Sequence, residues 1–192
     1  MIIKALRNFI SMIGLIVILP FLIAAALLII IEDGFPVFFQ QKRLGLNQKI
    51  FTIYKLRTLK KNAPQVGTHL LDECHKLKTG RIIRALKLDE FPQLFNVIKG
   101  DLNLIGPRPG LESQAELAEA RFSKGVHQTK PGITGLSQIL GYDMSNPLEL
   151  AKVDKIYIDN QSFQLRLIIL MGTFFTFPRK HLSSRFKLLN TK

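Results

Sequence analysis

The chain has 192 residues and a mass of 21.8 kDa, enough to bury a core without a disulfide or metal staple. Its single cysteine, Cys74, excludes a disulfide framework and a cysteine-cluster zinc site. Lys and Arg number 27 against 14 Asp and Glu, a net charge of +13 that points to a polyanionic partner, while 47% hydrophobic residues and a mean hydropathy of +0.17 are too apolar for a soluble nucleic-acid binder and bring in a membrane.

The first element is a charge-free run from Phe9 to Ile31, interrupted only by Ser11, Gly14 and Pro20. A straight helix of that length reaches about 35 Å, enough to cross a hydrocarbon core of about 30 Å. It is too long for a signal-peptide core, and no small-residue cleavage site follows it. Pro20 sits at its centre and can kink the helix. Lys4 and Arg7 precede the run, and Lys42, Arg43, Lys49 and Lys55 follow it, so the positive-inside rule puts both ends in the cytoplasm. A helix broken at Pro20 that enters and leaves on one face meets both observations; an ordinary single span with a tolerated proline is the alternative.

Residues 34–58 read as two extended segments, 36–40 and 50–54, around a turn at Gly45-Leu46-Asn47. Residues 59–80 read as a polar loop or lid, and 81–87 as a short helix with a basic face. Phe91, Leu94, Phe95 and Ile98 recur at helical spacing, so a helix is expected over 89–99, with Asp89 in its N-cap or first turn and Gly100 as terminator. Gly106-Pro107-Arg108-Pro109-Gly110 reads as a rigid loop, 111–124 as an exposed helix, Pro131-Gly132 as a turn, and 147–160 as a helix opened by Asn146-Pro147. Leu167 to Phe177 is apolar but too short to span; bracketed by Arg166, Arg179, Lys180, Arg185 and Lys187, it suits the headgroup interface, or else a core helix with a basic tail.

Asp89-Glu90 is the strongest chemical candidate. At a helix start the dipole favours the ionised carboxylates; an ionised aspartate can act as a nucleophile, and a carboxylate pair can hold Mg²⁺ with substrate phosphates. Plain helix capping is the bland reading. Lys55, Arg57, Arg84, Lys87, Arg108 and Lys130 lie beside turns or helix ends and together suggest a diphosphate substrate, with Arg108 stiffened between two prolines. His69, His75, His127 and His181 show no ligand spacing and read as surface or structural residues, and Cys74-His75 is not taken as a nucleophile–base pair. The chain has no Walker loop and no Gly-x-Gly-x-x-Gly.

Five motifs then occur in order: Lys55-Leu56-Arg57-Thr58, the run from Leu88 to Val97, Lys99-Gly100-Asp101, Gly106-Pro107-Arg108-Pro109 and the run from Lys130 to Gly135. With the N-terminal apolar segment they resemble the bacterial sugar transferases, the small monotopic phosphoglycosyl transferases that act on polyprenol phosphate. The resemblance covers about residues 1–175. It departs from the family pattern at Leu19, where serine is frequent before the proline, at Lys130 for arginine, at Gly110 for leucine, and in lacking an acidic residue near Gln164 and Arg166.

The resemblance implies a Mg²⁺-dependent enzyme on the cytoplasmic face of the bacterial inner membrane. Asp89 would attack the sugar-linked phosphorus of a UDP-sugar, release UMP and pass the phosphosugar to polyprenol phosphate. Glu90 would assist and share the metal with Asp89. Arg108 with Pro107 would hold the donor phosphates, and Lys55, Arg57, Arg84, Lys130 and Thr134 are further substrate-binding candidates. Anionic lipid is an expected partner, nucleic acid is not, and a homodimer is compatible with the reading. The expected fold is α+β and mostly helical. It has a re-entrant, Pro20-broken membrane helix over 1–33, a cytoplasmic catalytic domain over 34–163, and an interfacial segment with a basic tail over 164–192. Two other readings are a membrane-attached binder of nucleic acid or anionic lipid, with salt-sensitive binding and no turnover, and a bitopic scaffold.

Overall fold

The structure is a computed structural model that describes residues 2–63, 73–175 and 177–186. It is mostly helical, with two small two-stranded sheets. The chain forms two compact units, one of residues 1–41 and 52–99, the other of residues 42–51 and 100–192. The N-terminal apolar helix packs in the core of the first unit, and the C-terminal helices pack in the core of the second.

In the first unit, α1 runs from Ile2 to Asp33 as one helix with Pro20 inside it. The expected break is not an interruption of the helical run. Proline removes one intrahelical donor, a loss that a long apolar helix can tolerate. Ser11, Leu22, Ala25 and Ile29 are buried, and Gly14 and Ile18 fall between them on the same face at steps of three and four residues. That face packs against Val37, Leu56, Leu77 and Ile83. Gly14 lies where an added Cβ would come 3.3 Å from Leu94 Cδ1, so its lack of a side chain lets α1 approach α3 closely. The opposite face is apolar and exposed, with Ile16, Val17, Phe21 and Ile31.

Strands β1 (Phe38–Leu44) and β2 (Ile50–Leu56) form a hairpin around a 3₁₀ turn at Leu46–Gln48, as the sequence predicts. Residues 64–72, the middle of the expected polar loop, lie outside the described residues, as does His69. The loop ends in a 3₁₀ turn at Glu73–His75 and an isolated bridge between Leu59 and Lys76. The basic helix is α2, Lys78–Ala85. The helix expected over 89–99 is divided: Leu88–Glu90 is a 3₁₀ turn, and α3 covers only Gln93–Lys99. Asp89 is therefore not an α-helix cap. Lys87 enters the turn with a left-handed backbone, and Gly100 ends α3 at φ 96°.

In the second unit, β3 (Asn103–Ile105) pairs in parallel with β4 (Gly132–Thr134). The Pro131-Gly132 segment, expected as a turn, thus enters a strand. Helices α4 (Ala115–Ser123), α5 (Leu136–Leu140), α6 (Pro147–Asp159), α7 (Phe163–Phe174) and α8 (Phe177–Phe186) follow. Asn146 caps α6 by accepting from Glu149 N, as the sequence predicts. The core joins Leu136, Ile139, Val153, Tyr157, Leu165, Ile169 and Leu182. Helix α7 has Leu165 and Ile169 in that core, while Phe163, Leu167, Leu170, Met171 and Phe174 remain exposed. The segment thus has one face in the core and one exposed apolar face. Of the basic tail, residues 187–192 lie outside the described residues.

Candidate active site

Asp89 and Glu90 occupy the 3₁₀ turn between α2 and α3 in the first unit. The Lys55 ammonium, near the end of β2, forms an ion pair with Glu90 Oε1 at 3.2 Å; the two side chains are 16% and 27% exposed. Arg84, in the last turn of α2, donates from Nε to Thr58 Oγ1 at 2.8 Å. Burial pushes the Asp89 carboxyl above its ordinary range, and the adjacent Glu90 carboxylate pushes the same way; Lys55 and Arg84 pull it down. This reverses the expectation that a helix dipole favours the ionised form, because Asp89 sits in a 3₁₀ turn and is half-buried.

Asn96 fixes the strand that carries Lys55. Its fully buried carboxamide donates to Thr52 O at 2.7 Å and accepts from Tyr54 N at 3.3 Å, so it takes the place of a neighbouring strand along β2. Tyr54 also meets Phe95 edge to face, with centroids 5.8 Å apart. Strand β2 and α3 are thereby tied together next to the Lys55–Glu90 pair.

Arg57, expected among the phosphate-binding cations, is turned instead onto the end of α1. It is 6% exposed, pairs with Asp33, and donates to the carbonyls of Pro36 (2.6 Å) and Gly34 (2.5 Å). Its fork fastens the exit of the apolar helix. Glu32 completes the fastening by accepting from Lys78 N at 2.6 Å and from Thr79 N at 2.9 Å, at the start of α2.

Pro107, Arg108, Lys130 and Thr134 belong to the second unit. Pro107 is buried and Arg108 half-buried. Lys130 donates to Gly100 O at 2.7 Å, and Thr134, 8% exposed, shares a 2.8 Å hydrogen bond with Thr173. Both were expected to reach substrate; the structure gives both a contact that holds the fold. Four successive loop carbonyls accept hydrogen bonds: Pro107 O from Gly132 N (2.9 Å), Arg108 O from Arg121 Nη1 (2.8 Å), Pro109 O from Arg43 Nη1 (3.0 Å) and Gly110 O from Leu44 N (3.0 Å). Arg121 in turn grips Asp154 Oδ2 with Nε at 3.0 Å and Nη2 at 2.6 Å, and Ser137 Oγ donates to Asp154 Oδ1 at 2.9 Å.

The histidines behave as the sequence suggests where they are described. His127 is buried with Nε2 3.1 Å from Ala118 O, and burial pushes its pKa down. Cys74 Sγ lies 3.4 Å from His75 Nδ1 at the surface. Among the described residues no three His, Cys, Asp or Glu side chains gather as a metal cluster. Asp89 and Glu90 nevertheless suit Mg²⁺, which binds through one or two carboxylates and completes its shell with water and substrate phosphates.

A family model described as "Bacterial sugar transferase" matches residues 1–180. The chain belongs to the bacterial sugar transferase family. It is 46% identical over 143 residues to "Uncharacterized sugar transferase EpsL" of Bacillus subtilis (strain 168), covering 74% of this chain and 70% of that one. It is 37% identical over 161 residues to the "UDP-N-acetylgalactosamine-undecaprenyl-phosphate N-acetylgalactosaminephosphotransferase" of Aeromonas hydrophila, covering 80% and 38%. It is 40% identical over 126 residues to the "UDP-glucose:undecaprenyl-phosphate glucose-1-phosphate transferase" of Caulobacter vibrioides, covering 64% and 47%. The chain thus spans less than half the length of the last two relatives.

In this sugar transferase family member, sequence reasoning singled out the carboxylates and surface cations but missed Asn96, Arg43, Arg121 and Asp154. A signal for two of them exists. Asp154 lies on the apolar face of α6, four residues after Leu150 and three before Tyr157, and Arg121 lies four after Leu117 on α4. A charge on the buried face of each of two helices is the mark of an internal pair.

Proposed function

We propose that this chain transfers a phosphosugar from a UDP-sugar to polyprenol phosphate in two displacement steps on Asp89. In the first, an Asp89 carboxylate oxygen attacks the sugar-linked phosphorus, the phosphoanhydride bond breaks, and UMP leaves with its electron pair. In the second, an oxygen of polyprenol phosphate attacks the same phosphorus, forming polyprenyl diphosphate sugar and returning the carboxylate. The observation that carries the reading is the half-buried Asp89 beside Glu90, within the field of Lys55 and Arg84. Covalent catalysis divides the reaction so that the soluble and lipid substrates need not meet in one complex.

Lys55 and Arg84 favour the ionised form of Asp89, the form a nucleophile needs, and offset the charge brought by the diphosphate. Arg108, on its braced loop, binds donor phosphate. Asp89 and Glu90 would hold Mg²⁺ with the diphosphate, and the ion when bound neutralises phosphate charge. The names of the relatives support a UDP-sugar donor and an undecaprenyl phosphate acceptor, and they differ in the sugar. We therefore assign the donor class and not the sugar.

The chain acts on the cytoplasmic face of the inner membrane with α1 as a monotopic anchor. Both ends of α1 are held by one unit, which supports this topology. Near the start, Asn8 Nδ2 donates to Ile98 O at 3.4 Å; at the end, Glu32 and Asp33 are fastened to α2 and Arg57. The exposed apolar side of α7 lies in the headgroup interface beside anionic lipid.

The test is UMP release by purified protein in lipid nanoparticles with polyprenol phosphate, Mg²⁺ and a panel of UDP-sugars. Wild type is expected to release UMP with at least one donor, and Asp89→Asn to lose on the order of 10³-fold or more in kcat. Intact mass should show a phosphosugar adduct on wild type when the acceptor is omitted. Unaltered turnover by Asp89→Asn removes the nucleophile assignment.

A further inference from the structure

The loop that carries Arg108 is stiff in one respect and adjustable in another. Pro107 and Pro109 fix φ on either side, and a residue before proline is confined to extended backbone. What remains is the tilt of each peptide plane, and the carbonyl hydrogen bonds settle that tilt. The plane that follows Arg108 is held by Arg121, which donates to the Arg108 carbonyl from Nη1 at 2.8 Å. Arg121 is itself held in place: two of its nitrogens grip one oxygen of Asp154, whose other oxygen accepts from Ser137. Arg121 and Asp154 are 3% and 1% exposed, so the pair is internal.

A buried ion pair is a poor source of stability, since removing two charges from water costs about what their attraction returns, and apolar residues of similar volume often serve as well. An apolar pair could fill this space on α4 and α6, but it could not hold a carbonyl. Lysine could keep the charge but not the planar fork that reaches a carboxylate and a carbonyl in fixed directions.

We infer that Arg121 and Asp154 are positioning residues that set how Arg108 is presented to the diphosphate of the nucleotide donor. This inference rests on the reading of Arg108 as a donor-binding residue. It locates part of the determinant of donor affinity away from the substrate, in a pair whose hydrogen bond to the loop is to its backbone. The effect is confined to the donor step, because the pair holds the loop and not the nucleophile.

The test uses the full chain in lipid nanoparticles and compares wild type, Arg108→Ala, Arg121→Lys, the double variant Arg121→Met with Asp154→Leu, and that double variant combined with Arg108→Ala. Donor KM, polyprenol phosphate KM, kcat and melting temperature are measured for each. The apolar swap is expected to melt within a few degrees of wild type, to raise donor KM by roughly tenfold, and to leave acceptor KM within twofold. In the Arg108→Ala background the swap should add nothing, because the side chain it positions is gone. Arg121→Lys should show the same donor-specific loss and serves if the swap does not fold. An unchanged donor KM in folded variants overturns the inference. So does an equal loss with and without Arg108, which marks a purely structural pair. If Arg108→Ala itself keeps wild-type donor KM, the underlying reading of Arg108 fails, and the two failures are thereby told apart.

Discussion

Asp89 is a carboxyl under opposing influences, and this makes it testable one residue at a time. Burial and Glu90 favour the protonated form, while Lys55 and Arg84 favour the ionised one. Removing either cation raises the Asp89 pKa, so the acidic limb of the pH–rate profile should move to higher pH in Lys55→Met and in Arg84→Met. A stopped series of UMP-release assays from pH 5 to 9 reads this directly, and a limb that stays in place in both variants would separate the cations from the nucleophile. Asn96→Leu should move the limb the same way through β2. At this scale the sequence shows which residues bear charge but not where the charge is directed. Arg57 and Arg84 stand in equally basic surroundings, yet one fastens α1 and the other binds Thr58 and acts on Asp89 through its charge, because the partner of an arginine is set by chain packing far along the sequence.

Among the elements, the two short strands of the second unit depend most on residue size. A Cβ on Gly132 would fall 2.1 Å from Gly106 N and 2.6 Å from Ile105 C, inside backbone that cannot move aside without breaking the pairing. Gly132→Ala should therefore destabilise the fold by roughly 1–3 kcal/mol or more, read as a lowered urea midpoint. Gly106→Ala should do likewise, since its Cβ would meet Lys130 O at 2.8 Å. The element boundaries show what was legible and what was not. Helix α6 and its Asn146 cap, the β1–β2 hairpin and the stop at Gly100 follow from local chemistry. The β3–β4 pair does not: three residues on each side give little periodicity, and what makes Pro131-Gly132 a strand entry is a partner some thirty residues earlier. The division of the 89–99 helix was also hidden, because Pro92 suits a first helical turn and the 3₁₀ turn before it depends on Lys87 taking a left-handed backbone.

For the whole molecule, the proposed topology asks a helix long enough to span to leave both its ends on one side. The sequence gives the length, the proline and the basic flanks. The face formed by Ser11, Gly14, Ile18, Leu22, Ala25 and Ile29 was present in it as well, but uniform hydrophobicity hides a packing stripe that differs mainly in side-chain size. On the proposed topology, cysteines introduced at Lys4 and Lys49 in a Cys74→Ser background should both react with an impermeant maleimide from the cytoplasmic side of inverted vesicles, and neither from the outside. Labelling on opposite sides would make α1 a conventional span.

The stripe on α1 has a consequence for how the protein is made. The residues that cover it, from Val37 to Leu94, are translated after it, as is Ile98, which receives the bond from Asn8. At ordinary elongation speeds, the stretch from Asp33 to Ile98 takes roughly 3–13 s to synthesise. During that interval the nascent helix has only lipid or the insertion machinery to cover a face with serine, glycine and alanine on it, and it is indistinguishable in length and apolarity from a spanning segment. On the proposed topology, the helix meets the bilayer before the residues that cover this face exist. The late arrival of α2 and α3 must then either confirm that placement or draw the helix back, which makes biogenesis a timed contest between bilayer and ribosome.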